Sequence, residues 1–258
     1  MVSDTARLLQ AVDEVATLAG KVALERFRPG IAVEWKGDGS PVTAADRAAE
    51  EAAREWIEKR FPGDAIVGEE FGTSGDPSGR RWFLDPIDGT KSFVAGVPLW
   101  GTLVAVADGD EVLAGAINCA AAGEKVTAAV SEGCWWNGRR AWVSGEADLA
   151  RATALVTDPR FPNRAERRRG WERVAERARV VRTWGDCFGY LLVATGRAEV
   201  MVDDRMNPWD SACLMPIIEE AGGVLTDWTG RRTAFGGDTI ATNAALAGEA
   251  RRLLGAGS

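Results

Sequence analysis

Two aspartates three positions apart, Asp85 and Asp88, constrain this chain more than any other feature. They follow the apolar segment 82–84, which is typical of a buried strand, in the sequence Asp-Pro-Ile-Asp-Gly-Thr. Pro86 fixes φ and has no N–H to donate, and Gly89 permits a turn or a close approach of the backbone to a ligand. The strand is therefore predicted to end here, with both carboxylates on one turn.

This pair of carboxylates has two explanations. Like charges so close together repel each other unless a cation lies between them, and Mg²⁺ prefers such oxygen ligands. The N–H groups and the hydroxyl of Gly89 and Thr90 could then bind an anion. The alternative is an ordinary turn, because Asp-Pro-x-Asp-Gly is also favourable turn chemistry. The rest of the chain has to decide between the two.

No histidine occurs among the 258 residues, and this limits the chemistry that the chain can perform. The commonest general base and the Ser-His and Cys-His nucleophile systems are excluded. A hydrolase of this composition must use carboxylates, hydroxyls and metal ions. The net charge of −7 argues against a general nucleic-acid-binding protein. The arginine-rich stretch 164–179 spaces its apolar residues as a helix does, which favours a solvated helix face over a nucleic-acid patch.

The cysteines and the hydropathy pattern indicate the cellular location. The four cysteines form no CxxC pair, so they are predicted to be reduced thiols. No apolar run approaches the roughly 20 residues of a membrane span. We therefore expect a cytoplasmic protein with neither a membrane nor a nucleic acid as partner.

The first half of the chain has an α+β pattern. Two helices are predicted over 4–27 and 44–60 from their apolar spacing. Short β-like runs follow at 65–67, 102–107, 112–118, 125–130 and 134–136, several of them separated by hairpin-type turns. This half is predicted to pack two helices on a largely antiparallel sheet.

The second half alternates strands with helices. Strands are predicted at 154–157, 180–182, 199–202, 224–226 and 240–242. Helices are predicted over 164–179, 188–195 and 211–221 and at the C-terminus. The alternation predicts an α/β half with parallel pairing. The boundary is expected between 143 and 152, which divides the chain into 1–147, with most of the metal ligands, and 148–258.

Further acids have structural explanations when each is taken alone. Glu69 and Glu70 follow a predicted strand, as Asp85 and Asp88 do. If the two strand ends are adjacent, all four acids would lie in one crevice. Taken alone, however, the glutamate pair is typical of a solvated loop. Other acids stand at predicted helix starts. Asp46 has the spacing of a capping box, and Asp210 and Asp186 directly precede helices as N-caps would.

Three motifs that occur in series favour a functional explanation of these acids over the structural ones. The segments Gly68-Glu69-Glu70, Asp85-Pro86-Ile87-Asp88-Gly89-Thr90, and Trp209-Asp210 with Glu219-Glu220-Ala221-Gly222-Gly223 behind it resemble the inositol monophosphatase family. Their order and separations match over nearly the whole chain. The haloacid dehalogenase phosphatases also use an Asp-x-Asp-Gly-Thr motif. Theirs has one intervening residue and lies near the N-terminus, whereas two residues intervene here.

The resemblance implies a layered αβαβα sandwich of the inositol monophosphatase/fructose-1,6-bisphosphatase type. It also implies Mg²⁺-dependent hydrolysis of a phosphate monoester by a homodimer. Two or three ions are implied, with the ligands Glu69, Asp85, the Ile87 carbonyl, Asp88 and Asp210. Glu70 would lie behind these ligands or assist a more weakly bound ion. Gly89 and Thr90 would bind phosphate, and the implied catalytic residues are Thr90, Asp46 and Glu69, with Thr90 and Asp46 activating the attacking water.

The segments 184–190 and 206–210 carry the substrate expectation. They are similar to the branch of the family that hydrolyses histidinol phosphate in histidine biosynthesis. Asp186 would then pair with the substrate ammonium, Asp203 would contact the substrate and Asn207 would bond an imidazole nitrogen. The alternatives are an inositol-1-phosphate phosphatase, a broad-specificity sugar phosphatase, and a non-catalytic phosphate-binding protein. The full set of acids argues against the last.

Overall fold

The first half of the molecule follows the predicted order of elements. The computed structural model describes residues 3–27, 30–35, 37, 41–162 and 164–256. The elements of this half are α1 (Asp4–Leu24), β1 (Glu34–Trp35), β2 (Pro41–Val42), α2 (Ala44–Arg60), β3 (Ala65–Gly68), β4 (Gly72–Ser74), β5 (Arg80–Asp88), α3 (Thr90–Val94), β6 (Gly101–Asp108), β7 (Glu111–Cys119), β8 (Glu124–Ala129), β9 (Gly133–Trp136) and β10 (Arg139–Arg140).

The second half alternates strands and helices, as predicted. Its elements are β11 (Thr153–Val156), α4 (Ala165–Ala175), β12 (Val180–Arg182), α5 (Asp186–Ala194), β13 (Val200–Asp203), α6 (Pro208–Ser211), α7 (Leu214–Glu220), β14 (Val224–Thr226), β15 (Thr239–Thr242) and α8 (Ala247–Leu254). The arginine-rich stretch forms α4, which buries Trp171 and Val174 and leaves its arginines largely at the surface. No helix in the described ranges is long and apolar enough to cross a membrane.

Three predicted helices differ from the observed ones, and the arginine-rich helix ends at Ala175 and not at residue 179. The first ends at Leu24, and Phe27 lies beyond it with its ring packed 5.3 Å from Phe93. The helix predicted over 211–221 is interrupted between α6 and α7. Pro216 explains the interruption, because it cannot donate a hydrogen bond to the carbonyl of Ala212 and its ring crowds that carbonyl.

The first sheet is largely antiparallel, as predicted. It has eight strands in the order β10-β9-β8-β7-β6-β5-β3-β4. The exception matters for the site: β3 and β5 run parallel, with Gly68 opposite Leu84. The residues that follow these two positions therefore leave the sheet at the same edge.

The second sheet contains less parallel pairing than predicted. It has five strands in the order β12-β11-β13-β15-β14. Strand β11 pairs in parallel with β12 and β13, but β15 is antiparallel to both β13 and β14. The connection from β14 to β15 contains no helix to carry the chain back, and such a connection gives antiparallel strands.

Five layers result from three hydrophobic clusters. The outer helices α1 and α2 cover one face of the first sheet. Helices α5 and α7 lie between the two sheets. Helices α4 and α8 cover the outer face of the second sheet. This αβαβα arrangement confirms the predicted fold class.

Candidate active site

The end of β5 places Asp85 and Asp88 side by side. The register between β5 and β6 shifts between these two residues, so the strand bulges there. Thr102 holds the bulge by donating to the Pro86 carbonyl at 2.8 Å. The Ile87 N–H donates to Asp85 Oδ1 at 3.0 Å, which fixes that buried carboxylate. The residues predicted from the Asp-Pro-x-Asp motif therefore do share one turn.

The parallel strand β3 brings Glu69 to the same edge. The Glu69 N–H donates to the Leu84 carbonyl at 3.1 Å, one residue before Asp85. This contact continues the parallel pairing of the two strands. The prediction that adjacent strand ends place these acids in one crevice is confirmed at the level of the backbone.

Glu50 of α2 fixes the turn that carries Glu69, and sequence reasoning missed it. Its carboxylate is fully buried, pairs with Arg54 and accepts the N–H groups of Glu70 and Phe71 at 2.8 and 3.2 Å. A side chain at Gly68 would collide with Glu50 Oε1, 2.0 Å from the position of its Cβ. A charged residue on the buried face of a helix is the signal that could have identified it.

The hydrogen bond and the charge of Glu34 raise the pKa of Arg47 in α2, and the charge of Glu70 adds a smaller rise. Glu70 is thus within electrostatic range of α2.

Asp210 joins the cluster from the second half of the chain. It is the third residue of α6, and its Oδ2 accepts the Asn207 N–H at 2.7 Å and the Asn207 side-chain amide at 3.2 Å. Asn207, and not Asp210, therefore occupies the N-cap position. The Asn207 side-chain amide is bonded to Asp210, whereas the sequence predicted that Asn207 contacts the substrate.

The charges of these acids act on one another. Burial raises the pKa of Asp85 well above its usual range, and repulsion from Glu69, Asp88 and Asp210 adds to the effect. Burial raises the pKa of Asp88 strongly, with repulsion from Asp186 and Asp210. Burial also raises the pKa of Asp210 to about 7, against the bonds from Asn207. A cation bound among these acids would relieve their mutual repulsion.

The donor set fits a hard divalent cation, although the side chains do not yet enclose one. Carboxylate and carbonyl oxygens are the ligands that Mg²⁺ prefers. Among the described residues, no three acidic or cysteine side chains converge tightly enough to hold an ion. The reason is visible in the hydrogen bonds, since Asp85, Asp88 and Asp210 each accept a backbone N–H.

Asp46 and Thr90 lie at the start of α2 and of α3. Asp46 is buried and forms the predicted capping box, with Oδ2 accepting the Thr43 N–H and hydroxyl at 2.8 and 2.6 Å. Burial raises its pKa, and the charge of Glu69 adds a small rise, so it lies near the cluster. The Thr90 hydroxyl donates to the Ile87 carbonyl at 3.0 Å. Their joint action on a water molecule stays a prediction.

Asp186 opens α5 in a strained backbone conformation. Its φ of 49° is in the left-handed region, and its N–H donates to Thr157 Oγ1 at 2.8 Å. The N-cap explanation is wrong, because Gly185 is the cap and Asp186 is the first helical residue. Burial raises the pKa of Asp186 to about 6, and the charge of Lys91 opposes that rise. The next N–H, from Cys187, donates to Asp88 Oδ2 at 2.5 Å.

Asp203 ends β13 and already has partners inside the protein. Its Oδ2 accepts the hydroxyl of Tyr190 at 2.8 Å. Burial raises its pKa to about 8, against hydrogen bonds from Thr157 and Tyr190. The carboxyl is therefore mostly protonated near pH 7 and offers a hydrogen bond more than a charge.

Two adjoining cavities lie over these acids. One of about 120 Å³ is lined by Asp88, Asp186, Asp203 and Asp210, among others. The other, of about 400 Å³, is lined by Gly89, Thr90, Lys91, Thr157, Asp158, Arg160, Thr183 and Asp186, among others. Asp186 belongs to both. A larger cavity of about 520 Å³ lies between α1 and β8–β9, but none of the predicted site residues lines it.

Sequence reasoning missed the cations and hydroxyls of these cavities. Lys91 directly follows the Gly-Thr pair, so its place in the motif was the available signal. Thr157, Arg160 and Arg205 have no local signal, since they reach the cavities only through tertiary packing.

Comparison with known proteins agrees with this geometry. Residues 4–256 match the Inositol monophosphatase family. A histidinol-phosphatase from Chlorobaculum parvum is 42% identical over 233 residues, which cover 90% of each protein. A histidinol-phosphatase from Mycobacterium tuberculosis is 35% identical over 251 residues, 91% of this chain and 93% of that protein.

A solved structure gives the same family. An inositol monophosphatase from Zymomonas mobilis matches with a TM-score of 0.87 at 29% identity, over 98% of this chain and 99% of that one. Enzymes of the family depend on metal ions, typically Mg²⁺. The chain belongs to the inositol monophosphatase family and is a phosphate-ester hydrolase.

Proposed function

We propose that this phosphatase hydrolyses L-histidinol phosphate to L-histidinol and phosphate. The observation that carries the proposed reaction is the electrostatic coupling of one buried carboxylate to its neighbours, since Glu69, Asp88 and Asp210 all raise the pKa of Asp85. The similarity to two proteins named histidinol-phosphatase supports the choice of substrate. A cavity lined by Asp186 next to this cluster supports it further, because histidinol carries an ammonium group.

We propose that two or three Mg²⁺ ions complete the site. Glu69, Asp85, the Ile87 carbonyl, Asp88 and Asp210 would hold them, with Glu70 behind the ligands or assisting a weaker ion. When bound, the ions supply positive charge that offsets the phosphoryl charge and polarises the attacking water. The raised pKa values of Asp85 and Asp88 support this assignment, because a bound cation offsets both the burial of these carboxylates, which is the main cause of the rise, and the repulsion that adds to it.

The protein's own groups would bind the phosphate and orient the water. Gly89 has a φ of 84°, and it lines the 400 Å³ cavity together with Thr90 at the start of α3. We propose that the Gly89 and Thr90 N–H groups bind phosphate oxygens. We propose that Thr90, Asp46 and Glu69 hold the attacking water, with Asp46 placed by its capping box to accept a proton.

The leaving group would extend from the phosphate towards Asp186. Among the acids predicted for recognition, Asp186 is the one we assign to the ammonium, because Asp203 is mostly protonated near neutral pH. Asp203 would serve as a hydrogen-bonding group. Contact of Asn207 with the imidazole requires its amide to leave Asp210, which Mg²⁺ binding would favour.

The second candidate substrate is inositol 1-phosphate. The observation that favours it is the likeness to the Zymomonas mobilis inositol monophosphatase over nearly the full length. A broad-specificity sugar phosphatase is a third candidate function for the same site. A purely binding role is disfavoured, because it would not require all four metal-ligating acids.

A substrate panel tests the proposal. Phosphate release with Mg²⁺ is measured on L-histidinol phosphate, inositol 1-phosphate and several sugar phosphates. We expect the highest kcat/KM on L-histidinol phosphate and no turnover in excess EDTA. A clear preference for inositol 1-phosphate would replace the substrate, and undiminished turnover in EDTA would exclude the metal mechanism.

We also propose a cytoplasmic homodimer. The four cysteines are free thiols, which favours a reducing compartment. Exposed Trp135 and Trp142 are apolar surface that a second subunit could cover. Light scattering after size exclusion would give the mass of the particle in solution.

A further inference from the structure

The 400 Å³ cavity contains a lysine that the reaction described above does not use. Lys91 directly follows Gly89 and Thr90, the pair proposed to bind phosphate. It lines the same cavity as both of them and Asp186. Its side chain is exposed, so it can move within the cavity without unpacking the core.

The Asp186 carboxylate lies close to the segment that carries this lysine. A Cβ at Gly89 would lie 3.3 Å from Asp186 Oδ2, which places the carboxylate against the backbone two residues before Lys91. The position is fixed from behind, because the Asp186 N–H donates to Thr157 and the Cys187 N–H donates to Asp88. Lys91 and Asp186 line the same cavity, so a cation that enters beside Asp186 comes within range of the charge of Lys91.

The other cation of the cavity is already engaged. Arg160 binds Asp158 through two contacts, Nε to Oδ1 at 2.8 Å and Nη2 to Oδ2 at 2.6 Å. The charge of Lys91 counteracts the effect of burial on Asp186 and also acts on Asp158. The balance of charge at Asp186 thus depends on Lys91.

We propose that Lys91 is a specificity-determining residue, which serves as the counter-ion of Asp186 and disfavours leaving groups that carry an ammonium beside it. The inference rests on the proposed function for its substrates. Lys91 would lower the preference for cationic esters, because its positive charge repels the substrate ammonium. A neutral polyol ester does not meet this repulsion.

Lys91→Met tests the proposal with two substrates of different charge. The readout is the ratio of kcat/KM on L-histidinol phosphate to kcat/KM on inositol 1-phosphate. We expect this ratio to rise about five-fold, the size expected when one like charge is removed several Å away in a site open to water. Lys91→Arg keeps the charge and should leave the ratio unchanged. Lys59→Met, an exposed lysine of α2, is the matched distant control.

A second readout does not require either ester to be turned over. L-Histidinol and inositol are compared as inhibitors of p-nitrophenyl phosphate hydrolysis. Lys91→Met should strengthen inhibition by L-histidinol and leave inhibition by inositol unchanged. Lys91→Gln replaces the Met variant if the latter does not fold. An equal change for both molecules, no change, or a weaker L-histidinol interaction would overturn the role of Lys91. If the wild type prefers inositol 1-phosphate while the ratio still shifts, the proposed substrate fails and the role of Lys91 stands.

Discussion

The acids of the reaction centre and the acids of the neighbouring cavities differ in how the protein satisfies them. Repulsion from Glu69, Asp88 and Asp210 adds to the effect of burial on the pKa of Asp85, and Asp186 and Asp210 act on Asp88 in the same way. Asp203 accepts hydrogen bonds from Tyr190 and Thr157, which oppose the effect of burial on its pKa. The first two acids are surrounded by like charges, whereas Asp203 has two hydroxyl donors of the protein beside it.

This difference separates two kinds of functional evidence. Uncompensated buried charge indicates a missing ligand, because a protein does not bury like charges together without one. A satisfied buried acid indicates packing or a hydrogen-bonding role, whatever its position in an alignment.

Asp85→Asn gives the largest effect that we expect at the reaction centre. Loss of this carboxylate removes a ligand from the ions, and kcat/KM should fall about a thousandfold or more, equivalent to several kcal/mol. The metal-free variant should be at least as stable as the wild type, because a repelled buried charge is gone. Phosphate release and thermal unfolding without metal are the measurements.

Asp13→Asn is the matched control for this substitution. Asp13 lines the cavity beside α1 and pairs with Lys125, far from the predicted acids in the fold. It should retain activity. An active Asp85→Asn enzyme, or one that loses activity only because it no longer folds, would remove the distinction between the two groups of acids.

Glu50→Gln should produce a smaller loss at the same centre. Glu50 touches no reacting atom, but it holds the turn of Glu69 through the Glu70 and Phe71 N–H groups. Partners of this kind are worth about 10- to 100-fold in metal affinity or activity. We expect the Mg²⁺ concentration for half-maximal activity to rise, while saturating Mg²⁺ restores much of the rate.

The exposed neighbour Glu51 provides the control for Glu50. Glu51→Gln should leave the Mg²⁺ dependence unchanged. If Glu50→Gln lowered the rate equally at all Mg²⁺ concentrations, Glu50 would not act through the metal ligands.

Local sequence was sufficient to place three of the acids together because their geometry is local, whereas their role as metal ligands was predicted from the resemblance. Asp85 and Asp88 share one bulge, and Glu69 follows the parallel neighbour of β5, so motif and strand pattern place all three. Asp210 depended on the resemblance, since its α6 reaches the site only through the packing of the two halves. The layers were predictable from hydrophobic periodicity.

The partners of the recognition residues were not predictable from local pattern. The hydrogen bond between Tyr190 and Asp203 joins a helix to a strand, and the sequence of neither segment predicts it. The antiparallel direction of β15 was missed for a similar reason, because it depends on the path of the connection from β14. The interruption before α7 did have a local signal in Pro216, which the apolar pattern outweighed in the prediction.

The smallest effect concerns the pH dependence of stability at Asp203. Its folded pKa of about 8 lies above the unfolded value of about 3.9, so its stabilising contribution is fully present below pH 4 and is lost as the pH rises through 8. Asp203→Asn should flatten the fall in the free energy of unfolding of the metal-free protein by about 1 kcal/mol per pH unit between pH 5 and 7. Denaturant titrations at pH 5, 6, 7 and 8 measure this fall.

Asp227→Asn is the control for this substitution. Hydrogen bonds from Thr229 and Arg231 outweigh burial and keep the pKa of Asp227 low, outside the range from pH 5 to 8. Equal slopes in the wild type and Asp203→Asn would mean that Asp203 is ionised in the folded protein, and it would then be free to bind the substrate ammonium after all.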